Sequence, residues 1–300
     1  MSCDWLRQSR TPKHCKLPDA PVYRPTKCRV SPGVPVLCAI LHTANADKGT
    51  FRPAIGHQLF LDRPQVSFLD HSVINKKRLS GLLFLSAIVT SMYSDTIKAA
   101  LTPLERKFFQ KLNTPQKIQD YLDSLPINFE KRGETYMSPR RTIAAKTAHC
   151  FEGALLAAAA LAYHKQKPLL LDLKTAPTDQ DHVVALFKQN GYWGAISKTN
   201  HAVLRYRDPI YKTVRELALS YFHEYFLKSG QKTLRSYSAP FDLSKYGTGW
   251  ITAGEELFDM VQALDESRHF PLVPKKNLKR LRKASQFEVE TVEAREWPER

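Results

Sequence analysis

Cys150 and His182 are the two side chains of this chain whose types and surroundings best support chemistry. Cys150 opens the stretch Cys150-Phe151-Glu152-Gly153, which runs into an apolar segment. Ten of the eleven residues from Ala154 to His164 are apolar, and six are alanine. Alanine is the best helix former, and a helix apolar all round is buried on all sides. A thiol in the first turn of such a helix feels the dipole and the free backbone N–H groups, which favour its thiolate. A thiolate is an effective nucleophile near neutral pH. His182 opens a strand-like run, and an imidazole there could take the thiol proton and return it to a leaving group.

The elements that must position these groups follow from local signals. Leu169–Leu173 reads as a buried strand after Pro168 ends the alanine-rich helix. Asp181–Phe187 and Tyr192–Ser197 flank Asn190-Gly191, the strongest short hairpin signal. With those two as loop residues, Val184 pairs with Ser197 and His182 faces Thr199. Trp193, Ser197 and Thr199 then share a sheet face with His182, while Asp181 and Asn200 share the other. Upstream, Asp95–Lys111 has helical spacing with a restart at Thr102-Pro103, and Thr114-Pro115 opens a second helix that Pro126 ends. Ile127–Phe129 reads as a short strand and Lys131–Arg141 as a polar loop. Downstream, Ala202–Tyr206 is expected to be a strand, Asp208-Pro209 to cap a long helix to Leu227, and Thr252–Leu264 to be a final amphipathic helix.

A Cys that opens a helix, a strand, then a His that opens a hairpin with Trp across it resembles the transglutaminase-like superfamily. The carrying segments are Ala148-His149-Cys150-Phe151-Glu152-Gly153-Ala154, His182-Val183-Val184-Ala185-Leu186-Phe187 and Trp193-Gly194-Ala195-Ile196-Ser197, set against G-x-C-x-x-x-A, H-x-W-x-E-V and W-x-x-x-D. The likeness covers about 110–210. It implies an α+β, papain-like fold: a Cys-led buried helix on an antiparallel sheet, here with extra carboxy-terminal helices. It also implies acyl transfer from an amide, as transglutaminase, peptidase or amidase, through an acyl-thioester on Cys150 with His182 as base. The Asp that orients the family's His falls on Ser197, which can accept a hydrogen bond from imidazole but brings no charge. Asn200 is chemically the better orienter, yet it needs a bulge to reach the face of His182.

Other constellations carry less. His223-Glu224 lacks the second His of a zinc helix, since position 227 is Leu. His149, His164, His201 and His269 have no ligand spacing, and Gly247-Thr248-Gly249 lacks the setting of a phosphate loop. Glu152 reads as a residue that complements the helix dipole, with a substrate-amine role as the sharper alternative. No cofactor and no metal is expected.

The chain has 300 residues and a formal charge of +16, with 43% hydrophobic residues, enough for one large or two small domains with a real core. Its first 91 residues differ from the rest: no Glu, 13 Lys and Arg against five Asp, eight prolines and four of the five cysteines. The region reads as disordered, chiefly over 1–75, or as an upstream extension with the natural start at Met92. The spacings of Cys3, Cys15, Cys28 and Cys38 fit neither paired zinc ligands nor a secreted disulfide framework. Lys76-Lys77-Arg78 before Leu79–Ser94 mimics a membrane signal, but the apolar run is shorter than the ~20 residues a span needs. The expected organisation is therefore 1–91, a transglutaminase-like domain with helices over 92–274, and a charged tail over 275–300, in the cytoplasm. The expected partner is a peptide or small amide substrate; a membrane is not expected. Two alternatives remain: a catalytically silent binding domain of the same fold, and a basic protein contacting nucleic-acid phosphates through Arg205, Arg207 and Lys276–Lys283.

Overall fold

Three helices start on the same local device, a hydroxyl N-cap followed by proline at the first helical position. Thr102 caps α2 (Pro103–Lys111), Thr114 caps α3 (Pro115–Asp123) and Ser138 caps α4 (Pro139–Ala145), each accepting a backbone N–H from three residues on. They follow α1 (88–100), which runs through Met92 without a break. The computed structural model describes residues 88–131 and 133–299. The readings made for 1–87, including the early cysteines and most of the apolar run, lie outside the described residues. Among the described residues, no helix is long and apolar enough to cross a membrane.

The central helix α5 (Cys150–Tyr163) is buried from Phe151 through Tyr163, as its composition requires. It lies on an antiparallel sheet ordered β4-β3-β2-β1-β5-β7, with β6 also paired to β1. The strands are β1 (Leu169–Lys174), β2 (His182–Gln189), β3 (Tyr192–Ser197), β4 (Arg207–Tyr211), β5 (Ser236–Ser238), β6 (Phe241–Asp242) and β7 (His269–Pro271). The architecture is thus mixed helix and antiparallel sheet, α+β in class. One face packs Leu170, Val183, Ala185, Phe187 and Ile196 against α5 and the amino-terminal helices. The other packs Leu171, Val184, Leu186 and Ala195 against α6 (Val214–Ser220) and Tyr221. Alternation along β2 therefore serves two cores, which explains a run apolar at both parities.

The hairpin adopts the expected register: Val184 pairs with Ser197 and Gln189 with Tyr192. Asn190 and Gly191 both have positive φ, 49° and 87°, as a twisted two-residue turn needs. The ladder ends at Val184–Ser197, so His182 is not paired with Thr199; its partner is Leu173 of β1. Two expectations fail nearby. Ala202–Tyr206 is not a strand, and Asp208-Pro209 does not open a helix; both residues sit inside β4. Proline fits there because β4 is an edge, where the missing N–H removes no ladder bond. The helix waits for the Thr213–Glu216 capping box and ends at Ser220.

Segments read as loop or tail also gain structure. The polar loop over 131–141 contains the start of α4. The expected last helix is split into α7 (Gly249–Thr252) and α8 (Phe258–Asp265). The charged carboxy-terminal stretch forms α9 (Gln286–Glu293), whose Val289 and Val292 are buried with Phe226. Arg205 and Arg207 form no free basic stripe: they pair with Glu296 at 2.7 Å and Glu224 at 2.6 Å.

Candidate active site

The site lies where the first turn of α5 meets the start of β2 and the end of β3. Three constraints bring these pieces together. Segment 126–128 runs beside the approach to α5: Ile127 bridges Ala148 in parallel, and Asn128 N–H donates to the Ala148 carbonyl at 3.2 Å. This is all that forms of the expected Ile127–Phe129 strand. Gln119 of α3 clamps Ser197 at both backbone groups, donating to its carbonyl at 2.8 Å and accepting its N–H at 2.9 Å. Gly153 allows the closest approach, because a Cβ there would lie 2.5 Å from Cβ of Lys198. Gly153→Ala must therefore push α5 from β3. We expect a loss of about 1–3 kcal/mol, as for overpacked cores, seen as a lower melting temperature together with slower alkylation of Cys150. An unchanged melting temperature would contradict the close approach.

Cys150 is partly exposed at the floor of a cleft of about 200 Å³. Burial pushes its thiol pKa up, but hydrogen bonds from His149 and His182 and their positive charge outweigh it, and the pKa falls to about 5. His182 is 6% exposed, and its Nε2 lies 2.8 Å from Ser197 Oγ. The Ser197 hydroxyl spends its one proton on the Leu204 carbonyl at 2.5 Å. Its oxygen can then only accept from the ring, so His182 carries its proton on Nε2 and leaves Nδ1 as the basic atom.

Of the other residues singled out from the sequence, Asn200, Thr199 and Asp181 line the same cleft, and Glu152 lies buried behind it. Asn200 does not serve His182: its amide donates to the Trp297 carbonyl at 2.9 Å and accepts the Trp297 N–H at 2.8 Å. It ties the carboxy-terminal segment to the cleft. Thr199 Oγ1 accepts the His201 N–H at 3.1 Å. Asp181 turns to Thr175, accepting its N–H at 2.7 Å, and burial raises its carboxyl pKa to about 6. Glu152 is fully buried and caps α5 by accepting the His149 N–H at 3.0 Å. It also accepts from Asn128 Nδ2 at 3.2 and 3.1 Å, Thr135 Oγ1 at 2.9 Å and Met137 N–H at 3.2 Å. A carboxylate so engaged is structural.

Three contributors were not singled out as site residues: His149, Gln119 and Lys198. His149, set aside for lack of ligand spacing, is the N-cap of α5 and contacts the sulfur. Its signal was adjacency, since the residue before a helix-opening Cys must sit at the same helix end. Lys198 is 1% exposed, donates to the Leu125 carbonyl, and has its pKa lowered to about 8 by burial. Nothing in the local sequence marked it or Gln119.

For metal binding, the described residues offer one carboxylate trio, Asp172, Asp181 and Asp265, with oxygens within 4.8 Å of one another. The protein supplies its own cations there: Lys174 pairs with Asp265, and His269 Nε2 lies 3.0 Å from Asp172. Compared with known proteins, the chain matches no family model and no curated sequence.

Proposed function

We propose that the chain is a cysteine-dependent acyl-transfer enzyme acting on an amide bond, built on a transglutaminase-like, papain-like core. The observation that carries this reading is one thiol in a cleft lined by two imidazoles, with the tautomer of one set by a committed serine hydroxyl. That arrangement offers a thiolate and a basic nitrogen at once. In the proposed reaction Cys150 Sγ bonds to the acyl carbon and the C–N bond breaks. The leaving amine takes the proton that the thiol gave up to an imidazole as its thiolate formed. Water or a second amine then gives its proton to the basic His182 Nδ1 as it displaces sulfur, and that proton restores the starting pair. A cleft of about 200 Å³ suits a side chain or small acyl group presented on a peptide or as a free amide.

The measurement is alkylation by iodoacetamide. Cys150 should label at pH 6 at least ~10-fold faster than a small free thiol, since below its pKa a thiol loses a factor of ten in thiolate per pH unit. Labelling no faster than the free thiol at pH 6 removes the enzyme reading and leaves a silent binding domain of the same class.

A further inference from the structure

The Ser197 position raises a question of charge. A thiolate needs a cationic partner, and the hydroxyl facing His182 supplies no negative charge to hold one there. The negative charge lies on the opposite side of the sulfur, around His149. The Nε2 of His149 is 2.7 Å from the Thr135 carbonyl, 3.5 Å from Glu152 Oε1 and 3.8 Å from Glu130 Oε1. A carbonyl only accepts, so that nitrogen is protonated, and Nδ1, which meets the Phe151 N–H in the first turn of α5 at 3.3 Å, is the free nitrogen beside Cys150. Resting on the acyl-transfer reading, we propose that His149 is the cationic partner of the Cys150 thiolate and gives its proton to the leaving amine, and that His182 is the separate base that takes the proton of the incoming water or amine at Nδ1 and passes it back through the sulfur to His149. Glu130 and Glu152 are positioning residues that hold the charge on His149.

The resting step is a balanced proton transfer: the S–H bond breaks, an N–H bond forms at His149 Nδ1, and the net charge is unchanged. It has a structural cost. In the neutral ring, Nδ1 accepts the Phe151 N–H at 3.3 Å as part of the helix cap. A protonated Nδ1 cannot accept, so forming the ion pair gives up that long bond. The gain is a charge-assisted bond to sulfur beside two carboxylates, the stronger kind of interaction. The direction of titration agrees. Burial disfavours charge on His149, yet Cys150, Glu152 and Glu130 carry its pKa up to about 9. Among the described residues, the groups facing this pair include Glu130, Glu152 and His182, the Tyr136 ring edge-on to His149 at 6.0 Å, and Glu256 from the segment before α8, whose pKa burial raises but Arg141, and also His149, bring down on balance. Tyr225 faces the sulfur from beyond α6, and burial, with Cys150 among the added charges, raises its pKa.

This split assigns the missing countercharge of the Ser197 position to the helix cap. It predicts that thiolate formation and proton delivery are separable by mutation. The test follows iodoacetamide labelling of the full chain against pH, with hydrolysis of the acyl-enzyme formed from p-nitrophenyl acetate alongside. The wild type should show a thiolate midpoint near 5. His149→Gln should raise the midpoint by two or more units, cutting labelling at pH 6 by at least ~10-fold. His182→Gln should move the midpoint less while slowing hydrolysis of the acyl-enzyme more. Glu130→Gln, which keeps an acceptor for the Thr135 N–H at 2.8 Å, should shift the midpoint in the same direction as His149→Gln. It serves should His149→Gln not fold. In ¹⁵N spectra the His149 ring should be imidazolium at pH 7 and become neutral in Cys150→Ala. A midpoint unmoved by His149→Gln or Glu130→Gln but raised by His182→Gln overturns the assignment. A wild-type midpoint near the ordinary thiol value instead removes the acyl-transfer reading beneath it.

Discussion

His182→Gln should slow hydrolysis of the acetyl-Cys150 formed from p-nitrophenyl acetate by about 10²–10⁴-fold, the contribution of a positioned acid or base. Glutamine fills similar space and keeps a donor for Ser197, so the Gln119 clamp on Ser197 and the register of the hairpin should survive. The variant should then fold and melt like the wild type while losing turnover. The loss is expected because the attacking water must give its proton to a base within bonding reach, and the other imidazole lies on the helix-cap side among carboxylates. Ser197→Ala probes the same arm more gently. It removes the acceptor of the Nε2 proton and frees the ring to take the wrong tautomer. Hydrolysis of the acyl-enzyme in His182→Gln within a factor of about three of the wild type would show that His182 carries no proton in the reaction.

Glu152→Ala should destabilise the fold by about 3–5 kcal/mol, the range for breaking a buried charged network by removing one partner. Four donors converge on this carboxylate: Asn128 Nδ2, Thr135 Oγ1 and the backbone N–H groups of Met137 and His149. The residue is fully buried, so all four donors lose a charged acceptor that a water entering the vacated space replaces only in part. At ~2–4 °C per kcal/mol for a domain of this size, the melting temperature should fall by roughly 6–20 °C. Glu152→Gln, which keeps the shape but turns one acceptor into a donor among donors, should fall in between. A melting temperature within about 2 °C of the wild type in Glu152→Ala would show that the network contributes nothing to stability. The two experiments read different quantities: His182 is tested by rate at constant stability, Glu152 by stability.

Much of the site could be read along the chain because its devices are local. The Thr102-Pro103 and Thr114-Pro115 caps need only adjacent residues. The burial of α5 follows from a composition with no polar face. The Asn190-Gly191 turn sets the hairpin register, and the register puts Ser197 on the side of His182, where the 2.8 Å contact is found. The same locality misled at Asp208-Pro209. A cap-like dipeptide means one thing before a helix and another on an edge strand, and the edge is a property of the whole sheet.

What no local pattern could specify is the meeting of distant groups. Gln119 reaches Ser197, Asn200 holds Trp297, and Glu130 turns back on His149; none of these pairs has a period or a spacing rule. Asn200 illustrates the difference. Its chemistry suited an orienter of His182, but a closer backbone partner took both ends of its amide. Residue types and neighbour preferences set which helix carries the thiol and which hairpin carries the imidazole. The charge balance around the sulfur arises only when the helix end, segment 128–135 and the end of β3 pack together, because hydrogen bonds form with whichever group folding places within reach.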